Sequence, residues 1–100
     1  MIQVAYRYAD GHELMVTGHA GAAPKGEDLV CAAVTILLRS LAWYMEHTQS
    51  AQVDIADGSF KLRSDGDMGA DGMGALNMAF AGLDLLAQQY PEFVKITIFE

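Results

Sequence analysis

Cys31 is the only cysteine in the sequence, and His19 precedes it across a stretch punctuated by Gly18, Gly21, Pro24 and Gly26. A lone thiol cannot close an internal disulfide, so Cys31 is expected to stay free in a reducing compartment, where its surroundings decide its reactivity. With a helix beginning near Asp28 or Leu29, Asp28 is its N-cap, and Leu29, Val30 and Cys31 fill the first three helical positions. Backbone N–H groups lack intrahelical partners there. The positive end of the helix dipole favours the thiolate, and the same free N–H groups can stabilise the oxyanion formed when a thiolate attacks a carbonyl. His19 supplies a third ingredient. Eleven residues separate it from Cys31, ample reach for a chain that covers about 3.3 Å per residue when extended. An imidazole beside the sulfur takes its proton and later returns it to a leaving amine, which describes acyl transfer through a thioester. Against this stands the commoner fate of a free cysteine, burial among apolar neighbours, and Val30, Ala32 and Ala33 flank Cys31.

These side chains need elements to hold them. Ile2, Val4, Tyr6 and Tyr8 alternate with Gln3, Ala5 and Arg7, the period of a half-buried strand. Asp10-Gly11 is a hairpin signal, and Glu13 to Thr17 reads as the returning strand, ended by Gly18. The first helix runs to about His47, with Val30, Val34, Leu37, Leu41 and Met45 at intervals of three and four. Val53 and Ile55 lie on a third strand, Asp57-Gly58 repeats the hairpin signal, and Phe60 to Ser64 is a fourth strand. The segment DGDMGADGMG is too rich in Gly and Asp to begin as regular structure. A second helix then places Met73, Leu76, Phe80, Leu83, Leu86 and Tyr90 on one stripe until Pro91 stops it. Val94, Ile96 and Ile98 form the last strand. The order β-β-α-β-β-α-β predicts an α+β fold, a mostly antiparallel sheet with two helices on one face.

The totals agree with a single domain over residues 1–100. The chain has 100 residues, 52% of them hydrophobic and 19% charged, enough apolar surface for one core. The longest largely apolar run, Leu29 to Leu38, contains Thr35 and is closed by Arg39. It falls short of the roughly 20 residues of a bilayer span, so no membrane association is expected. The N-terminus lacks the pattern of a secretory signal, which makes the cytoplasm the expected location. A formal net charge of −7 argues against direct nucleic-acid binding and favours a basic peptide or protein as partner.

Gly18-His19-Ala20-Gly21, followed by Gly26-Glu27-Asp28-Leu29-Val30-Cys31-Ala32-Ala33-Val34, resembles the signature of the bacterial ribosomal-processing cysteine proteases of the Prp family. Members carry a G-H-A-G element, a glycine-rich loop and a G-x-D-[IL]-V-C-A-A segment at this separation. The hairpin before the motif and Tyr90-Pro91 after the second helix extend the resemblance over essentially the whole chain. It implies a peptidase that removes a short N-terminal extension from a large-subunit ribosomal protein, with Cys31 as nucleophile and His19 as its base. Asp28 matches the family's acidic position, leaving it either a helix N-cap or an acidic partner of His19. Thr35 stands where the family often has Ser, one helical turn beyond Cys31. The resemblance also implies a homodimer, and a basic N-terminal extension of the ribosomal protein as the segment bound. The glycine spacing predicts a lid over residues 20–26, with Gly18, Gly21 and Gly26 as hinges, ordering when substrate lies across the site.

Other motifs lead elsewhere. Gly21 to Gly26 has the frame of a phosphate loop, but Glu27 takes the place of its Lys. Asp65, Asp67 and Asp71 resemble a calcium loop, yet Leu76 stands where a bidentate Glu is needed, so they read as a solvated turn. His12, His19, His47 and Cys31 lack paired metal-ligand spacing, so neither a metal nor a cofactor is expected. Trp43, Tyr44 and Met45 read as packing at the end of a core helix. The competing reading for the whole chain is a non-catalytic dimeric adaptor in ribosome assembly with an unreactive Cys31.

Overall fold

The alternating apolar stretches do form strands, and the longer periodic stretches form helices. The structure, a computed structural model, describes residues 1–18 and 25–99. Along the chain lie β1 (Ile2–Tyr8), β2 (His12–Thr17), α1 (Lys25–Thr48), β3 (Gln52–Ala56), β4 (Ser59–Ser64), α2 (Gly69–Gln89) and β5 (Val94–Phe99). They build one five-stranded sheet in the order β3-β4-β2-β1-β5. Three neighbouring pairs are antiparallel, and β5 runs parallel to β1 with Val4 opposite Ile96. The architecture is the expected α+β arrangement.

The core follows from the period of two in the strands. Ile2, Val4, Leu14, Val16, Phe60, Leu62 and Val94 turn one face of the sheet inward and join a single cluster with residues of both helices. Helix α1 contributes Val30, Val34, Leu38, Leu41, Ala42 and Met45, and α2 contributes Leu76, Ala79 and Leu83. Burying a side chain of this size contributes about 1.5–3 kcal/mol. The helices also pack on each other closely. A Cβ added at Gly82 of α2 would meet Leu37 of α1 at 2.8 Å, so glycine at this position permits the close approach of the two helices.

Both helices begin earlier than the glycines suggest. Helix α1 starts at Lys25 and includes Gly26, and α2 starts at Gly69 and includes Gly72. The cost of a helical glycine, about 1 kcal/mol relative to Ala, is offset where acidic residues face the positive end of the dipole. Asp71 stands in the first turn of α2, and Asp67 accepts a hydrogen bond from the Gly69 backbone N–H at 2.8 Å. The aspartate-rich turn therefore helps to start a helix.

Leu29–Thr48, with a mean hydropathy of 1.5, has the length and apolarity of a spanning helix, contrary to the shorter run read from the sequence. Its character comes from serving two apolar faces. One is buried against the sheet, and the other exposes Leu29, Ile36 and Trp43 by 69%, 63% and 61%. Trp43 is thus a surface residue, unlike the buried Met45 beside it.

Candidate active site

Helical periodicity puts residues four apart on one face, and on α1 that face runs through Cys31, Thr35 and Arg39. All three line a cleft of about 670 Å3 between α1 and the β3–β4 hairpin. Ile2, Val16, Val34, Leu38 and Phe60 give it an apolar floor, and Ile55 to Ser59 form the facing wall. Cys31 is half-buried and packs against the core cluster while also lining the cleft. The thiol is therefore not sealed among aliphatic side chains, and the structure brings Cys31 and Thr35 together as the spacing predicts.

The start of α1 changes the account of how the thiol is supported. Asp28 is the fourth residue of the helix, so the N-cap role read from the sequence is incorrect: the cap position precedes Lys25. Cys31 is correspondingly the seventh residue, a full turn beyond the free N–H groups of residues 25–27. Those groups and the concentrated end of the dipole are not adjacent to the sulfur, because the dipole effect fades within the first turn. Gly26 lies within α1, where helical backbone replaces the expected hinge. His19 and Gly21 lie outside the described residues, as does most of the lid expected over residues 20–26.

Gly18 has a structural reason to be glycine. It adopts φ +102°, and a Cβ there would collide with the backbone carbonyl of Met1. Its N–H donates to the Gly58 carbonyl at 3.0 Å. This bond ties the end of β2 to the Asp57-Gly58 turn and holds the hairpin wall beside the cleft. Two cleft residues escaped the reading of the sequence. Helical spacing from Cys31 is the signal that finds Arg39, whereas Asp57 reads only as a turn former.

The remaining histidines are placed elsewhere. His12 sits at the far end of β2, paired in register with Tyr8, six positions along the strand from Gly18, about 20 Å. Its Nδ1 shares a 2.5 Å hydrogen bond with the Tyr6 hydroxyl. Tyr6 also packs edge-on against Phe80 with centroids 5.9 Å apart. Burial, and then neighbouring Tyr8, raise the Tyr6 hydroxyl above its ordinary 10.0. His47 stacks on Trp43 at 3.9 Å and lies 16 residues beyond Cys31 on α1, about 24 Å along the axis. No group of three or more His, Cys, Asp or Glu residues suited to a metal occurs among the described residues.

Comparison with known proteins gives this geometry a context. The family model for the cysteine protease Prp matches residues 1–95. A ribosomal processing cysteine protease Prp from Mycoplasma pneumoniae is 34% identical over 85 residues, which span 84% of each chain. Among solved structures, Prp from S. aureus in complex with a substrate peptide superposes with a TM-score of 0.82 at 22% identity, covering 99% of this chain and 100% of that one. The same S. aureus protein with a covalently linked product peptide gives a TM-score of 0.79 at 24% identity, with coverage of 99% and 100%. A Streptococcus mutans protein gives 0.78 at 28% identity over 99% of this chain and 94% of its own.

Proposed function

The chain belongs to the cysteine protease Prp family, and from that membership we propose that it is a cytoplasmic cysteine endopeptidase that removes the N-terminal extension of a bacterial large-subunit ribosomal protein. The observation that carries this reading is the position of its only thiol, on a cleft wall with an apolar floor and room for several side chains of a peptide. A relative named for ribosomal processing supplies the class of substrate.

In this mechanism the Cys31 sulfur, deprotonated by His19, attacks the scissile carbonyl carbon and forms a tetrahedral intermediate. Collapse breaks the C–N bond, the amine leaves with the proton held by His19, and the peptide's acyl part remains as a thioester on Cys31. Water, activated by the same imidazole, then releases it. The placement of His12 and His47 supports His19 in this role, because both other imidazoles are held away from the cleft by their own partners. Thr35 borders the bound peptide one turn from the sulfur.

The enzyme acts as a homodimer in this reading. Leu29, Ile36 and Trp43 are exposed seven residues apart on α1, and Met78 and Leu85 repeat the spacing on α2, exposed by 74% and 57%. Apolar stripes of this kind are usual where a partner covers them. Ile36→Glu is expected to halve the mass measured by light scattering.

Incubation with the unprocessed ribosomal protein, followed by intact mass measurement, tests the activity. The wild-type chain should release one N-terminal fragment, and Cys31→Ala and His19→Ala should each lower the rate by about a thousandfold or more. Cleavage by Cys31→Ala at the wild-type rate would reject the proposal. A folded, dimeric wild-type protein that binds the substrate without cutting it would favour the adaptor.

A further inference from the structure

The cleft beside Cys31 carries charge on both walls, Arg39 on the helix side and Asp57 on the hairpin side. Two other pairs of surface charges on this sheet and its turns do meet: Arg7 with Glu13 at 3.2 Å and Arg63 with Asp65 at 3.1 Å. Arg39 and Asp57, both exposed, make no side-chain hydrogen bond or ion pair among the described residues. We infer that Asp57 is a specificity-determining residue, which selects a substrate carrying a lysine or arginine a few residues from the scissile bond. This rests on the peptidase reading above and adds to it the chemistry by which the cleft recognises its peptide.

The plain alternative is that Asp57 serves only its turn. Aspartate is common in two-residue hairpin turns because its carboxylate accepts hydrogen bonds from nearby backbone N–H groups. Asp67 does this, accepting from Gly69, but the Asp57 carboxylate accepts none among the described residues. The conformational demand of the turn falls on Gly58, with φ +72°, and its position is fixed by the Gly18 N–H bonded to the Gly58 carbonyl. The turn is held without the carboxylate. That leaves a fixed anion on the wall of a cleft whose floor is apolar.

The opposite wall adds direction. Arg39 lies eight residues beyond Cys31 on the same helix face, about 12 Å along the axis. An extended peptide covers that distance in about three or four residues. A basic side chain within that span is drawn toward the hairpin wall by Asp57 and away from the helix wall by Arg39, and an acidic one meets the reverse. Since a ribosomal protein must neutralise RNA phosphates, lysines and arginines are abundant in such a substrate. The apolar floor accepts many side chains, whereas the charged rim discriminates among them.

Peptides spanning the cleavage site, each with one flanking Lys or Arg changed to Glu, provide the test in steady-state assays with wild type, Asp57→Asn and Asp57→Lys. For the wild type, one such change should lower kcat/KM roughly threefold to tenfold, as befits a partly exposed charge pair. Asp57→Lys should show a similar loss on the unmodified peptide, mainly in KM, and recover on that same Glu-bearing peptide. Asp57→Asn should become nearly indifferent to the exchange. Thermal melts of both variants within a few degrees of wild type would separate recognition from folding. If Asp57→Lys lowers kcat/KM equally for every peptide, or leaves it unchanged for all, the inference is wrong while the peptidase reading survives. If the wild type cuts none of them, both fall.

Discussion

The two ends of the β1–β2 pair make opposite use of similar materials. At one end Tyr6, Tyr8, His12 and Phe80 close over one another, with an imidazole and a phenol sharing a hydrogen bond and rings in edge-on or tilted contact. At the other, Ile2, Val16 and Gly18 border a cleft that holds the thiol and two charged groups that have no ion-pair partner among the described residues. A histidine satisfied by its neighbours is a structural group. A half-buried thiol lining an open cleft is accessible to a ligand, and the proposed chemistry belongs at that end.

Gly18→Ala should show the largest effect of disturbing this contrast. The added methyl would strike the Met1 carbonyl at a φ that L residues rarely adopt, costing about 1–3 kcal/mol in denaturant unfolding. Because the substitution shifts the backbone that bonds Gly58, KM for the substrate should rise as well. An intermediate effect is expected for His12→Ala, which removes the Tyr6 partner and should cost about 0.5–1.5 kcal/mol. Cleavage by that variant should stay within about twofold of wild type. Loss of cleavage there would erase the distinction between the two ends.

The smallest effect concerns alkaline stability. Since burial and then Tyr8 raise the Tyr6 hydroxyl above 10.0, the folded chain holds that proton more tightly than the unfolded chain. The contribution is therefore whole below pH 10.0 and declines as pH rises through the folded-state value. Unfolding of Tyr6→Phe followed above that pH should show a shallower decline than wild type. An identical slope would mean that Tyr6 does not supply it.

Much of the fold could be read from the chain because its strands alternate cleanly and its two Asp-Gly hairpins sit where turns are needed. Gly26 and Gly69 read as punctuation in the sequence, yet both helices start at or before them. Gly69 opens α2 at φ +75°, a conformation glycine adopts without the usual penalty, and its N–H is held by the Asp67 carboxylate. Reading Gly26 as punctuation carries into the site by making Asp28 a cap and placing Cys31 in the first turn. The Cys31 and Thr35 face was legible from helical spacing alone. The cleft was not, because it joins Gly18, Arg39 and Asp57 from three separated segments, and only the sheet order brings the β3–β4 hairpin to the side of α1.

Covalent trapping of the thiol tests the central claim most directly. A substrate-derived peptide ending in a chloromethyl ketone at the scissile position would be incubated with the protein, which would then be mapped by mass spectrometry as residual cleavage is followed. The account predicts a single adduct on Cys31 whose formation parallels the loss of activity and is slowed by excess substrate. Full modification of Cys31 with cleavage intact, or inactivation with Cys31 unmodified, would contradict it.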